Sequence, residues 1–453
     1  MKPPSFLARW ALLLTLAAPG VQAQSPAPAL PTKFTPATVR NYTKDDAFYD
    51  PKVLRTIFID FEKSNWEQLL TSYYHTDVDV PAKLTVDGKA YPGVGISFRG
   101  NSSYQMVPYG RKHSLSLEID AADDKQRLYG YRTLKLLNAN QDPSFLRTYL
   151  YHYVARQYNP APKANFVRVV INGENWGVYV NTQAINSDFA KENFDSGKGA
   201  RWKVSNYPRG YGGLYYFGEN VDSYRQTYEI KSKEDPKAWT DLIHLTKVLR
   251  DTPPAQLEAA LKPIFDVDEA LKFLALDNAL QNADGFWTKA GEYTIYQDLK
   301  GVFHVIMWDV NESFKEPGGR GGGGASMLDP YAGSGEPQKA MLYYLLRVPA
   351  LEQRYLGYMR DIAENWLTWE KLGPVIEQAQ TLLWDDISAD RRKLYSSDSF
   401  LTSSVVDYYN AGSSSPRPPE YSLKGFINDR RNYLLSYPGI ARPRTAAPAV
   451  AKE

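Results

Sequence analysis

The sequence predicts an α+β fold, with strands concentrated in its first half and helices in its second. Apolar runs with a two-residue period are joined by Asp87-Gly88 and Asn172-Gly173, the pairs that favour tight hairpin turns. From Pro236 onward the apolar spacing turns helical. No internal repeat divides the chain, which excludes solenoids and propellers.

The elements follow in order. Leu54 to Phe61 reads as a strand, and Ser64 as the cap of a short helix ending near Tyr74. Lys83–Val86 and Val94–Phe98 form the first hairpin. Ser114 to Ile119 (SLSLEI) alternates as a half-buried strand should. Asp142 and Pro143 predict a helix start, because proline at the first helical position has no N–H to leave unpaired. Phe145, Leu146, Tyr149, Leu150, Tyr153 and Val154 give that helix one apolar stripe. Phe166–Ile171 and Trp176–Val180 make the second hairpin. Residues 196–222, rich in Gly, Tyr and Asn, read as loop. Asp266 caps a helix running to about Asn282, and Tyr293–Gln297 with Val302–Met307 form the third hairpin. Residues from about Gln338 to Tyr437 read mostly as helix.

Composition narrows the function. Hydrophobic residues at 43% and aromatics at 13% describe a globular chain with a large core. Lys2 and Arg9, the apolar run Trp10–Ala18 and Val21-Gln22-Ala23 read as a secretory signal peptide cleaved before Gln24. The apolar run covers nine residues, whereas a spanning helix needs about 20. Removing Lys2 and Arg9 lowers Lys plus Arg from 53 to 51, equal to Asp plus Glu. That balance gives no electrostatic case for a nucleic acid partner. The chain has no cysteine, which excludes disulfides and thiolate chemistry. Residues 24–52, Pro- and Ala-rich at their start, read as a linker, and 438–453 as a disordered tail.

Several motifs carry little. Gly319, Gly321 and Gly324 satisfy G-x-G-x-x-G, but the run GGRGGGG matches almost any glycine template and opens no βαβ unit. His75, His113, His152, His244 and His304 stand singly.

The stretch from Leu274 to Phe314 is the informative one. A helix ends in a loop at Asp284, a hairpin follows, and its second strand delivers Trp308-Asp309-Val310-Asn311. An apolar strand that ends on an aspartate holds a carboxylate at a cleft. Helix, loop aspartate, hairpin and second aspartate is the plan of a protein kinase, although H-R-D and D-F-G are absent. Aspartates at loops and strand ends also serve as caps and turn residues.

The same residues resemble the CotH family of spore-coat-protein-H-like atypical protein kinases. The resemblance runs in order over about residues 53–437. It includes VGISFRGNSS (94–103), LKLLNANQDPSFLR (134–147), VVINGENWGVYV (169–180), YEIK (228–231), IMWDVNESF (306–314) and SLKGFINDRRNYL (422–434). It implies a two-lobed kinase-like fold, with an N-lobe over about 53–185 and a helical C-lobe over about 186–437. It implies ATP, Mg²⁺ or Mn²⁺, and phosphate transfer to Ser or Thr of an envelope or secreted protein. Asp284 takes the place of the catalytic aspartate and Asp309 that of the metal-binding one, with Asn311 beside it. Glu292 stands where the family carries asparagine; glutamate still binds Mg²⁺. Lys112 is the expected phosphate-binding lysine, with Lys135 and Lys231 as competitors. Arg99 and Asn101 are expected at phosphates, or else as parts of a tight turn. ATP is scarce outside the cytoplasm, so a non-catalytic surface module with the same fold is the alternative.

Overall fold

The computed structural model describes residues 34–205, 210–315, 328–407 and 422–441. The expected signal peptide and the glycine run fall outside these residues.

Seven strands close into a barrel: β1 (Arg55–Asp60), β2 (Val80–Val86), β3 (Lys89–Arg99), β4 (Ser114–Glu118), β5 (Thr133–Leu137), β6 (Ala164–Ile171) and β7 (Glu174–Gln183). Their order is β1-β2-β3-β4-β5-β7-β6, and β1 closes the ring by pairing in parallel with β6. The remaining pairs are antiparallel. Alternation drives closure. On β2, Val80, Ala82, Leu84 and Val86 face inward and are buried, while Pro81 and Lys83 are exposed. Ile57, Ile96, Leu117, Leu134, Val167 and Trp176 complete one apolar core.

A second sheet runs β11-β10-β8-β9, from β8 (Ala200–Val204), β9 (Tyr228–Ile230), β10 (Tyr293–Gln297) and β11 (Phe303–Met307). Around it and the barrel lie the helices α1 (Trp66–Ser72), α2 (Ser102–Gln105), α3 (Arg147–Ala155), α4 (Ser187–Asn193), α5 (Val221–Arg225), α6 (Pro236–Asp251), α7 (Pro254–Leu261) and α8 (Val267–Ala279). They continue with α9 (Phe286–Lys289), α10 (Ala340–Leu345), α11 (Pro349–Asn365), α12 (Trp369–Ala389), α13 (Ser397–Thr402), α14 (Leu423–Ser436) and α15 (Pro438–Ala441). The larger core gathers α3, the second sheet, α6, α8, α11, α12 and α14. The α+β composition and all three hairpins are as expected.

Five expectations are corrected. The linker does not extend to residue 52. Phe34 packs against Phe58 and Val170, and Phe48 and Tyr49 join the barrel core. Arg55 ties this segment down by donating to the carbonyls of Asp46, Ala47 and Phe48 at 2.6, 2.8 and 3.2 Å. Residues 196–222 are not all loop, because Ala200–Val204 is an inner strand of the second sheet. Its signal is the alternation of Trp202 and Val204 with Arg201 and Lys203. The cap of α1 is Asn65 rather than Ser64. Helix α3 begins at Arg147, because Phe145 has a φ of 61° that no right-handed helix admits. Asp142 still accepts the N–H of Arg147 at 2.9 Å. At the other end, Pro438–Ala441 is helix with Ile440 buried, not tail.

Candidate functional site

Sheet register assembles the site. Tyr293 pairs with both Met307 and Val204. The start of β10 and the ends of β8 and β11 therefore share one edge of the sheet. Glu292 precedes β10, Trp308 and Asp309 follow β11, and Lys203 lies on β8. Helix α8 delivers its loop to the same place: Asn282 Nδ2 donates to the backbone carbonyl of Asp309 at 3.1 Å, and the N–H of Ala283 to that of Glu312 at 3.1 Å. Asp284 follows in that loop. From the barrel comes Arg99, at the end of β3. The turn after it is tight: a Cβ on Gly100, whose φ is 98°, would stand 2.2 Å from Ser103 Oγ. This sharp exit leaves Arg99 at the barrel rim.

The charges in this cluster act on one another without pairing. All four of Arg99, Lys203, Glu292 and Asp309 are half-buried, and among the described residues no hydrogen bond reaches their side chains. Burial, then the Asp309 carboxylate, pushes Glu292 up to about 7. Burial raises Asp309 too, with Glu312 and Asp284 adding to the shift and Arg99 and Lys203 opposing it. Burial lowers Arg99 and Lys203, while Glu292 draws both the other way, joined at Arg99 by Asp309. Lys203 Nζ sits 4.4 Å from the centre of the Trp308 ring. Glu292 Oε2, Asn282 Oδ1 and Trp308 Nε1 are buried atoms with no partner. Glu292 is held at a φ of 56°, a conformation asparagine adopts more readily.

The expected residues divide into two groups. Asp284, Glu292, Asp309 and Arg99 come together. Asp284 also takes an ion pair from Lys289 at 2.6 Å. Asn311 lies beside Asp309 but donates to Glu312 at 3.1 Å, and Glu312 is ion-paired to Lys315. Asn101 is exposed, and its Oδ1 meets only Gln105, at 3.4 Å. Lys112 lies elsewhere. It is fully buried, its Nζ 2.9 Å from Asp390 and bonded to the carbonyl of Val178, over the rings of Tyr179 and Phe145. A cation so enclosed reaches no ligand.

Of its competitors, Lys231 is paired with its neighbour Glu229. Lys135 on β5 is held by Ser116 and by Glu118 at 3.2 Å. Register sets Lys135 opposite Ser116, and Ser116 opposite Ser97, two residues before Arg99 on β3. Lys203 lies within residues 196–222, whose Gly, Tyr and Asn content masks the strand that carries it. Open cavities of about 850 Å³, beside Arg132 and Asp188, and about 590 Å³, beside Leu356 and Tyr437, lie away from this cluster.

A strand barrel, a second sheet and a rim that gathers Asp284, Glu292, Asp309, Arg99 and Lys203 make up the fold and the candidate site. The chain belongs to the CotH kinase protein family, which matches residues 96–434. It is 23% identical to Invasin CotH7 of Rhizopus delemar, over 63% of this chain and 48% of that protein. It is 26% identical to Inner spore coat protein H of Bacillus subtilis, over 59% of this chain and 67% of that protein. It is 23% identical to Spore coat protein homolog 1 of Rhizopus delemar, over 80% of this chain and 59% of that protein. The chain thus spans about half to two thirds of the length of these relatives.

Proposed function

We propose that the chain is an exported atypical protein kinase that transfers the γ-phosphoryl group of ATP to Ser or Thr of an envelope or secreted protein. The observation that carries this reading is the convergence of Asp284, Glu292 and Asp309 opposite Arg99 and Lys203, with no ion pair among them. The barrel then serves as the small lobe and the helical body as the large one. Orphaned Glu292 Oε2 and Asn282 Oδ1 suit Mg²⁺ or Mn²⁺, because hard cations take oxygen ligands. Asp309 and Glu292 would hold the ion, with Asn311 beside them. Bound there, it would supply charge neutralisation at the β- and γ-phosphates.

The chain's own residues do the rest. Arg99 and Lys203 face the phosphates. Lys135, braced by Glu118, replaces Lys112 as the phosphate lysine of the barrel. Asp284 orients the acceptor hydroxyl and accepts its proton. Export rests on the leader over residues 1–23, and the coat and invasin names of the relatives agree with a place outside the cell. Those names also favour the second reading, a non-catalytic envelope module that keeps this fold.

The mature chain from Gln24, labelled ATP, Mn²⁺ and envelope proteins as acceptors decide between them. Asp284→Ala is expected to lower turnover by about 100-fold or more while ATP affinity stays within about twofold of wild type. Asp309→Ala is expected to abolish both metal-dependent ATP binding and transfer. Wild-type protein that neither binds ATP nor labels any acceptor makes the module the correct reading.

A further inference from the structure

Helix α8 carries a buried carboxylate, Asp277, that the proposed chemistry does not use. It is 2% exposed. Its Oδ2 accepts the backbone N–H of Trp287 at 3.1 Å. The N–H of Phe286 and the side chain of Asn282 also favour its charged form, and burial pushes the carboxyl up to about 7 against them. Buried Lys339 grips the same residue from the other side, donating from Nζ to the carbonyl of Trp287 at 2.6 Å and to Glu336 at 2.9 Å. The N–H and C=O of Trp287 are thus both held by buried charged side chains.

Gly285 lies directly over Asp277. A Cβ there would stand 2.1 Å from Asp277 Oδ1, so this position excludes any side chain. Asp284 is the residue just before it. Asn282, which favours the charge on Asp277, also donates to the carbonyl of Asp309 at 3.1 Å. One buried carboxylate therefore underlies the loop that carries Asp284 and, through Asn282, the turn that carries Asp309.

We infer that Asp277, with Lys339, is a positioning clamp that fixes the backbone of residues 282–287 so that Asp284 points at the acceptor. The inference rests on the kinase reading for its catalytic meaning. Both carboxylate oxygens are acceptors, which is what converging N–H donors require. Asparagine has the same shape but turns an NH₂ toward those donors, so the clamp needs the carboxylate rather than its volume. A loop shifted by about 1 Å at Asp284 loses turnover. The ATP contacts made by Arg99 on the barrel and Lys203 on β8, and the bond from Asn282 to the Asp309 carbonyl, stay in place.

The test compares wild type, Asp277→Asn, Gly285→Ala, Lys339→Gln and Asp284→Ala as full mature chains. Transfer kinetics with Mn²⁺ and labelled ATP, ATP affinity, and hydrogen exchange over residues 283–289 are measured on each. Asp277→Asn and Gly285→Ala are expected to lower kcat about 10- to 100-fold. Their ATP affinity stays within about twofold of wild type, and exchange rises only in the loop. Lys339→Gln gives the same pattern more weakly, and supplies the test if Asp277→Asn does not fold. Loop exchange unchanged in Asp277→Asn and Gly285→Ala overturns the clamp, as does wild-type kcat in both where wild type transfers label. If wild type transfers no label but loop exchange rises as expected, the clamp stands and the kinase reading falls.

Discussion

The seam between the barrel and α12 and the rim around Asp309 both gather charge, buried at the first and half-buried at the second, and they treat it in opposite ways. At the seam the buried charges pair at bonding distance. Lys112 meets Asp390 at 2.9 Å, and Arg168 forks onto both oxygens of Asp386. Arg392 pairs with Glu174 at 2.9 Å and lies over the Trp176 ring. At the rim, Arg99, Lys203, Glu292 and Asp309 feel one another's charge and form no pair. A cancelled buried charge fixes one arrangement of the chain. An uncancelled, half-buried one stays open to solvent and to a ligand. The seam is therefore structure and the rim is the candidate site, although a lysine and an aspartate occur in both.

Breaking the seam gives the largest expected effect. Asp390→Ala leaves the Lys112 ammonium buried and unpaired, which costs about 3–5 kcal/mol. Denaturant unfolding measures it, and the double change Lys112→Met with Asp390→Leu should recover most of the loss. A cost below about 1 kcal/mol for Asp390→Ala would mean that α12 does not strap the barrel.

His152 on α3 sharpens the contrast from a third direction, a buried titratable group that is neither paired nor at the site. Neither of its ring nitrogens has a hydrogen-bond partner among the described residues. Burial, assisted by Arg156, pushes it down to about 3 from an ordinary value of 6.5. Below pH 6.5 the unfolded chain takes up a proton that the folded chain refuses. Stability is thus fully present above pH 6.5 and falls as pH drops toward 3, by about 1.4 kcal/mol per unit once well below 6.5. His152→Leu should flatten the dependence by one proton between pH 6 and 4. An unaltered slope would show that other groups set the acid limit.

The smallest effect comes from the rim itself. Glu292 is pushed up to about 7 because its charge is buried beside that of Asp309, so at neutral pH the ionised form opposes folding. Glu292→Gln should stabilise the metal-free chain by up to about 1 kcal/mol after screening and reduce the rise in melting temperature produced by Mn²⁺. Destabilisation of the metal-free chain would place Glu292 with the seam residues rather than with the site.

Much of this molecule is written locally. The three hairpins, the Asp266 cap of α8 and the apolar strand that ends at Asp309 depend on residues within a few positions of one another, and each is where the pattern places it. Asp284 and Asp309 were legible for that reason: one helix and one hairpin deliver both. Family membership was legible too, since it rests on blocks of sequence in a fixed order. The cations were not. Lys112 precedes a strand and looks available, but its partner Asp390 lies 278 residues away. Lys203 looked like loop, yet pairing with β10 brings it beside Glu292 and Trp308. A side chain's type is local information, whereas the charge it finally faces is set by contacts between distant segments. Sequence alone therefore determined most of the elements and the places of the two aspartates along them, and only the tertiary structure decided which cations meet them.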